Sequence, residues 1–209
     1  MKIILVRHGQ TQWNSDARVQ GRTDIHLNAR GEAQAKAVGE WLSGRRVDAV
    51  YSSPLKRAFA TAEAIAERHG LGVKPLDGMI EIDFGLWEGK TAREISKEFP
   101  TFWEDWSWHL DEGKSAEMKA ESAYTILKRA KSALKTAVDE NSMDSTIVIV
   151  SHTMPIKLIM ADAVGIPLEN MRQIKIDNCS VSELEMRKNE PIKLITWNEK
   201  GFLSGKGLI

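Results

Sequence analysis

Two histidines in this sequence share one setting. His8 ends the run Ile3-Ile4-Leu5-Val6-Arg7, whose apolar, mostly β-branched residues read as a short buried strand, and Gly9 follows it. His152 stands just beyond Thr146-Ile147-Val148-Ile149-Val150, the most strand-like run in the chain, which carries no charge. In open α/β sheets ligands sit at the carboxyl ends of strands, so parallel neighbours would turn both rings into one crevice. Arg57 follows a third strand, expected at 47–51, by the short loop Ser52-Ser53-Pro54. It falls in the first turn of a helix, where free backbone amides favour an anion. Arg7 adjoins His8. Two histidines and two arginines at one sheet edge make a compact cationic pocket, and such a pocket suits a phosphate, whose oxygens match the guanidinium fork. Taken singly, each residue has a plainer reading, since a lone histidine there is more often a strand cap and a lone arginine a solvated helix charge. His26, His69 and His109 have no comparable placement and read as surface or packing residues.

The elements that must position these side chains follow from periodicity. Asn28 is a suitable cap for a helix carrying Ala33, Ala37, Val38, Trp41 and Leu42 and stopped by Gly44. After the 47–51 strand, Ser53 can cap and Pro54 can take the first position of a helix that runs to His69-Gly70. Its inner face is Leu55, Ala58, Phe59, Ala62, Ile65 and Ala66. Ser115 can cap a long helix through Leu127, Leu134 and Val138. Pro155 opens another, with Ile156, Ile159, Met160, Ala163 and Val164 inward and Gly165 as its stop. Residues 173–177, 181–186 and 191–197 read as shorter strands. The alternation of strand and helix predicts a three-layer α/β/α sandwich with a mostly parallel central sheet, in one domain over 1–209. An aromatic-rich insertion at about 90–114 interrupts it, and there Phe99, Phe102, Trp103, Trp106 and Trp108 suit a lid over a pocket, a protein contact such as a homodimer interface, or a satellite core.

Composition bounds the function. With 209 residues and 42% apolar content the chain can bury a proper core. Lys+Arg and Asp+Glu both number 29, so no global field draws it to nucleic acid or an anionic membrane, and neither is expected as a partner. The single cysteine, Cys179, reads as a small buried residue and suits a reduced cytoplasmic compartment. The apolar opening is too short for a secretory segment or a membrane span. No spacing of metal ligands occurs, and neither a metal nor a cofactor is expected. Asp83-Phe84-Gly85 has no glycine-rich loop or lysine before it to make a kinase. Gly113-Lys114-Ser115 has Trp108 where a phosphate-binding loop needs its first glycine.

Four ordered motifs carry a resemblance. They are Leu5-Val6-Arg7-His8-Gly9-Gln10-Thr11 with Asn14, Ser52-Ser53-Pro54-Leu55-Lys56-Arg57-Ala58 with Thr61-Ala62, Glu81 before Phe84-Gly85 and Trp87-Glu88-Gly89, and Val150-Ser151-His152. Together they resemble the histidine phosphatase superfamily, also called phosphoglycerate mutase-like. That resemblance implies a metal-independent phosphomonoesterase working through phosphohistidine on a small phosphorylated metabolite. It makes His8 the nucleophile and Glu81 the proton donor. Arg7, Arg57 and His152 would hold the phosphoryl oxygens, while Asn14 and the Gln20-Gly21 segment would line the substrate side. His8 must be neutral to attack, and Arg7, Arg57 and a protonated His152 would disfavour a second imidazolium.

Two positions depart from the family pattern. Phe59, followed by Ala60, stands where the family often has a glutamine two residues before Thr61-Ala62, and Thr153 replaces the glycine that commonly follows the second histidine, at a place touching the phosphate. Ser151-His152-Thr153-Met154-Pro155 is similar to a subgroup that includes metal-independent phosphoserine phosphatases. The expected substrate is a small phosphorylated metabolite, with phosphoserine a candidate that this similarity adds. A phosphoglycerate mutase, an α-ribazole phosphate phosphatase and a non-catalytic phosphate-ligand binding protein are the alternatives.

Overall fold

The computed structural model of the protein describes residues 1–101 and 111–209. A six-stranded sheet orders its strands β3 (Val73–Pro75), β2 (Ala49–Ser52), β4 (Thr146–Ser151), β1 (Lys2–Arg7), β5 (Val181–Glu185) and β6 (Lys193–Glu199). The first four are parallel, β5 adds antiparallel to β1, and β6 adds antiparallel to β5. Both central strands are apolar on both faces, as a strand covered on each side requires. Ile4, Val6, Val148 and Val150 pack against α2 (Ala29–Leu42) and α3 (Lys56–Ala66) through Val38, Leu42, Ala58, Ala62 and Ile65. Ile3, Leu5, Ile147 and Ile149 face α6 (Ala123–Asp139) and α7 (Thr153–Val164), meeting Ala130, Ala133, Ala137, Ile156 and Ile159. Each fully buried Val, Ile or Leu contributes about 1.5–3 kcal/mol. The α/β/α sandwich is as the alternation predicts.

Short elements complete the chain: α1 (Gln12–Ser15), α4 (Ala92–Glu98), α5 (Glu112–Glu117) and α8 (Gly201–Ser204). Of the aromatic group, Phe99 packs beside a small cluster of Trp87, Ile95 and Met118. Phe102, Trp103, Trp106, Trp108 and His109 lie outside the described residues.

Several boundaries differ from expectation. Pro54 does not begin α3: Leu55 is its N-cap, and Ser53 instead accepts the Leu55 amide at 3.3 Å, which shapes the entry turn. Phe59 is only half-buried on α3, where Arg57 and Thr61 take the inner face. The long helix expected from Ser115 is two. The first, α5, is capped by Asp111 and encloses Ser115, and the chain breaks at Lys119, whose φ is 53°, before Ser122 caps α6. Pro155 is the third residue of α7, not its first, and Val164 faces solvent. Residues 173–177 do not form a strand: Gln173 ends a 3-10 helix at Leu168–Gln173, and residues 174–177 lie in no regular element.

Candidate active site

The register of β1 and β4 sets the site. Arg7 pairs with Ser151, so His8 and His152 leave the sheet side by side, with ring centroids 5.0 Å apart and planes tilted by 58°. Both are buried. His8 Nδ1 lies 2.7 Å from the carbonyl oxygen of Gly9. A carbonyl can only accept, so Nδ1 carries the proton and Nε2 keeps its lone pair free. Burial first, then Arg57 and Arg7, hold His8 well below its ordinary pKa, against a smaller opposing pull from the Gly9 carbonyl. The ring is therefore neutral. The turn beneath it is fixed by Gly9 N–H donating to Thr61 Oγ1 at 3.1 Å, and by the Cys179 amide donating to the carbonyls of Arg7 and His8. Gly9 meets α2 at Gly31 so closely that a Cβ on Gly31 would lie 2.0 Å from the Gln10 oxygen.

Arg57 reaches from the first turn of α3 and is fully buried. Its Nη2 donates to the Gly21 carbonyl at 2.7 Å and its Nη1 to that of Thr23 at 2.9 Å. Gln20, with its amide turned so that the nitrogen donates to Thr11, accepts from Arg57 Nε at 2.5 Å and from Nη1 at 3.0 Å. Gln20 and Gly21, expected on the substrate side, thus hold the arginine. Glu88 secures that loop in turn, accepting the Arg22 amide at 2.7 Å and the Thr23 amide and hydroxyl at 3.0 and 2.6 Å. Burial lowers Arg57 to about 10, against the pull of Glu81, Asp24 and Glu88, and it remains a cation at neutral pH. Arg7 Nη1 donates to Ile176 O at 2.7 Å, while its buried Nε has no partner among the described residues.

Glu81 is buried although it lies in no strand or helix. The N-cap of α7 is His152, which makes no side-chain cap. The Glu81 carboxylate supplies one from across the fold, taking the amides of Thr153 and Met154 at 3.1 Å each, with that of Ile82 at 3.0 Å. Burial nevertheless wins over these bonds and over Arg57 and Arg7, so the Glu81 pKa is raised. A carboxyl whose pKa is raised holds its proton more readily, as a general acid must. Thr153 contributes its backbone amide to this contact.

His152 corrects one expectation. Burial, with Arg57, His8 and Arg7, holds its pKa well below the ordinary value, so the ring is neutral in the free protein rather than protonated. Its Nε2 lies 2.7 Å from Ser53 Oγ, and its buried Nδ1 has no partner among the described residues. Unpaired buried groups such as this Nδ1 and Arg7 Nε are costly unless an oxygen-rich ligand meets them.

The structure brings Arg7, His8, Arg57 and His152 together, as their strand-end positions predict, and joins to them Glu81, which the resemblance alone points to. Asn14 joins them at the rim, accepting from Asn178 Nδ2 at 3.1 Å, while the same Asn178 nitrogen donates to the His8 carbonyl. Asn178 and the backbone carbonyls of Gly21 and Thr23 were not singled out from sequence, because loop residues and backbone groups carry no periodicity to mark them. Ser53 and Thr61 stand in the second motif, and their contacts with His152 and the Gly9 amide come from the tertiary structure. His26 is exposed and His69 half-buried, away from the site. Among the described residues no group of three or more His, Cys, Asp or Glu side chains could hold a metal ion.

Comparison with known proteins agrees with this geometry. The family model described as histidine phosphatase superfamily (branch 1) matches residues 3–200. Phosphoserine phosphatase 1 of Hydrogenobacter thermophilus is 37% identical over 197 residues, covering 93% of this chain and 92% of that protein. A probable phosphoglycerate mutase, GpmB, of Salmonella paratyphi A is 30% identical over 192 residues, with 91% and 87% covered. The crystal structure of phosphoserine phosphatase from Entamoeba histolytica in complex with 3-phosphoglyceric acid superposes with a TM-score of 0.82 at 30% identity, covering 97% of this chain and 98% of that one.

Proposed function

Since the chain belongs to the histidine phosphatase superfamily, branch 1, we propose that it is a phosphatase of phosphoserine and related small phosphorylated acids, acting through phosphohistidine at His8. The observation that carries this reading is the Nδ1 contact of His8 with Gly9 O, which leaves Nε2 free among two arginines and a second histidine. In the first step the Nε2 lone pair forms a bond to phosphorus and the ester P–O bond breaks. The Glu81 carboxyl gives its proton to the departing oxygen, releasing the alcohol. Arg7, Arg57 and His152 meet the charge spread over the three equatorial oxygens. In the second step the Glu81 carboxylate takes a proton from water, whose oxygen attacks phosphorus. The P–N bond breaks, and His8 returns to its neutral form with release of inorganic phosphate.

The phosphoserine assignment draws on the names of the Hydrogenobacter and Entamoeba relatives and on the Ser-His-Thr-Met-Pro motif. The same proposal takes residues 1–209 as one catalytic unit, works without a metal, and places the protein in the cytoplasm with neither nucleic acid nor a membrane as partner. No helix among the described residues is long and apolar enough to cross a membrane. Release of inorganic phosphate from a panel containing phosphoserine and 3-phosphoglycerate tests the substrate, and isomerisation of the phosphoglycerate without release would make it a mutase. Acid-labile, base-stable phosphate should be trapped on the wild type and absent from His8→Ala. Activity should survive a chelator.

A further inference from the structure

We infer that Arg129, which lies outside the site, is a positioning residue for the Glu81 proton donor; the inference rests on the reading of Glu81 given above. Residues 81–84 lie in no helix or strand, so their backbone groups have no ladder to join and must be satisfied some other way. Arg129, projecting from α6 with its side chain 18% exposed, does this for the approach to Glu81. Its Nη1 donates to Gly78 O at 2.8 Å and to Ile80 O at 2.6 Å, and its Nη2 to Glu81 O at 3.0 Å. Nη2 also meets Glu121 Oε2 at 2.9 Å, and Nε meets Glu121 Oε1 at 3.1 Å. A guanidinium has five N–H donors in a rigid plane, and all five are engaged.

Glu81 is thereby held at both ends. Its carbonyl is held by α6, through Arg129, and its carboxylate by the first two amides of α7. Glu121 extends the clamp. Its carboxylate takes the Asp83 amide at 3.1 Å and Arg22 Nη2 at 2.7 Å, so one ion pair ties the Glu81 segment to the loop that holds Arg57. A lysine at 129 would keep the charge without the fork, and could not span three carbonyls and a carboxylate from one point.

The chemistry gives this role a signature that general destabilisation lacks. Loosening Glu81 weakens proton delivery to the leaving oxygen and leaves the cations in place. An alkoxide needs that proton, whereas a nitrophenolate departs without it. Moreover, kcat/KM reports only the steps up to loss of the alcohol, and a partly unfolded preparation lowers it by one factor for every substrate. We would measure kcat/KM for p-nitrophenyl phosphate and for phosphoserine or 3-phosphoglycerate, whichever the wild type hydrolyses faster. The variants are Arg129→Met, Arg129→Lys and Glu81→Gln.

The ratio of alkyl to aryl kcat/KM is expected to fall about 10²-fold in Arg129→Met, the scale set by small misplacement of a catalytic group. Arg129→Lys should fall with it, and Glu81→Gln by at least about 10²-fold. A split in Glu81→Gln with an unchanged ratio in Arg129→Met would overturn the positioning role and leave the proton donor intact. Equal loss on both substrates in Glu81→Gln would overturn the proton-donor reading itself, and this inference with it.

Discussion

His8 and His152 are buried imidazoles beside cations, and the cost of charging them has two consequences. The first is kinetic. A nucleophile whose pKa is depressed stays available in mildly acidic solution, while Glu81, whose pKa is raised, keeps its proton further toward neutrality. For an alkyl ester kcat/KM should therefore decline as pH rises through the Glu81 pKa, and Glu81→Gln should lose that limb. The second is thermodynamic. An unfolded histidine binds its proton near 6.5 and the folded ring only at lower pH, so below 6.5 the unfolded state holds more protons and stability falls as pH falls. Each ring should steepen that fall by up to about 1.4 kcal/mol per pH unit. Urea unfolding between pH 7 and 5 should show a shallower slope for His152→Asn than for the wild type; identical slopes would contradict buried neutral rings. Arg57→Lys, which loses the fork that reaches Gly21, Thr23 and Gln20, should lower kcat/KM by about 10²–10³-fold, as loss of an aligned donor does.

Elements act here mainly through their ends. The α2 N-terminus approaches the turn that follows His8 at Gly31, where a Cβ would meet backbone oxygen at 2.0 Å. Helix propensity alone would make Gly31→Ala stabilising by about 1 kcal/mol. The contact predicts the opposite sign, a lower Tm together with reduced turnover, since the Gln10 carbonyl must move and His8 lies two residues away. Ser122 caps α6, the helix that bears Arg129, through its bond to the Thr125 amide at 3.2 Å. Ser122→Ala should cost about 1 kcal/mol, or roughly 2–4 °C in Tm, without altering the leaving-group ratio. The contrast between Ser122 and Ser115 is instructive. Both are serines ahead of helical runs, but Ser115 is enclosed within α5 by the earlier Asp111 cap, and the left-handed Lys119 sets the break that periodicity cannot register.

At the scale of the molecule, the sheet behaves as a rigid plate whose carboxyl edge presents the chemistry. Ile147, wholly buried between β1 and α6, lies four residues upstream of Ser151. Ile147→Ala should cost about 2–5 kcal/mol in denaturant unfolding. Turnover per folded molecule should remain near the wild-type value, because the cavity opens below the plate and the strand ends stay registered. Net charge zero leaves the cationic site as a local feature, without a global field to gather substrate.

The sequence by itself determined the layered fold and the strand-end placement of Arg7, His8, Arg57 and His152. A strand buried on both faces must be continuously apolar, and Arg7, His8, Ser151 and His152 are legible because they abruptly end such runs. Only the tertiary structure decided how these residues are held. The Arg7 to Ser151 register brings the two rings level. The Gln20-Gly21 segment grips Arg57, Glu81 caps a helix distant in the chain, and α6 supplies a fork to an irregular segment. These are hydrogen bonds between residues far apart in the chain, most of them to backbone groups that every residue carries. Side-chain periodicity encodes which face is buried, and it contains no record of which carbonyl a given arginine will meet.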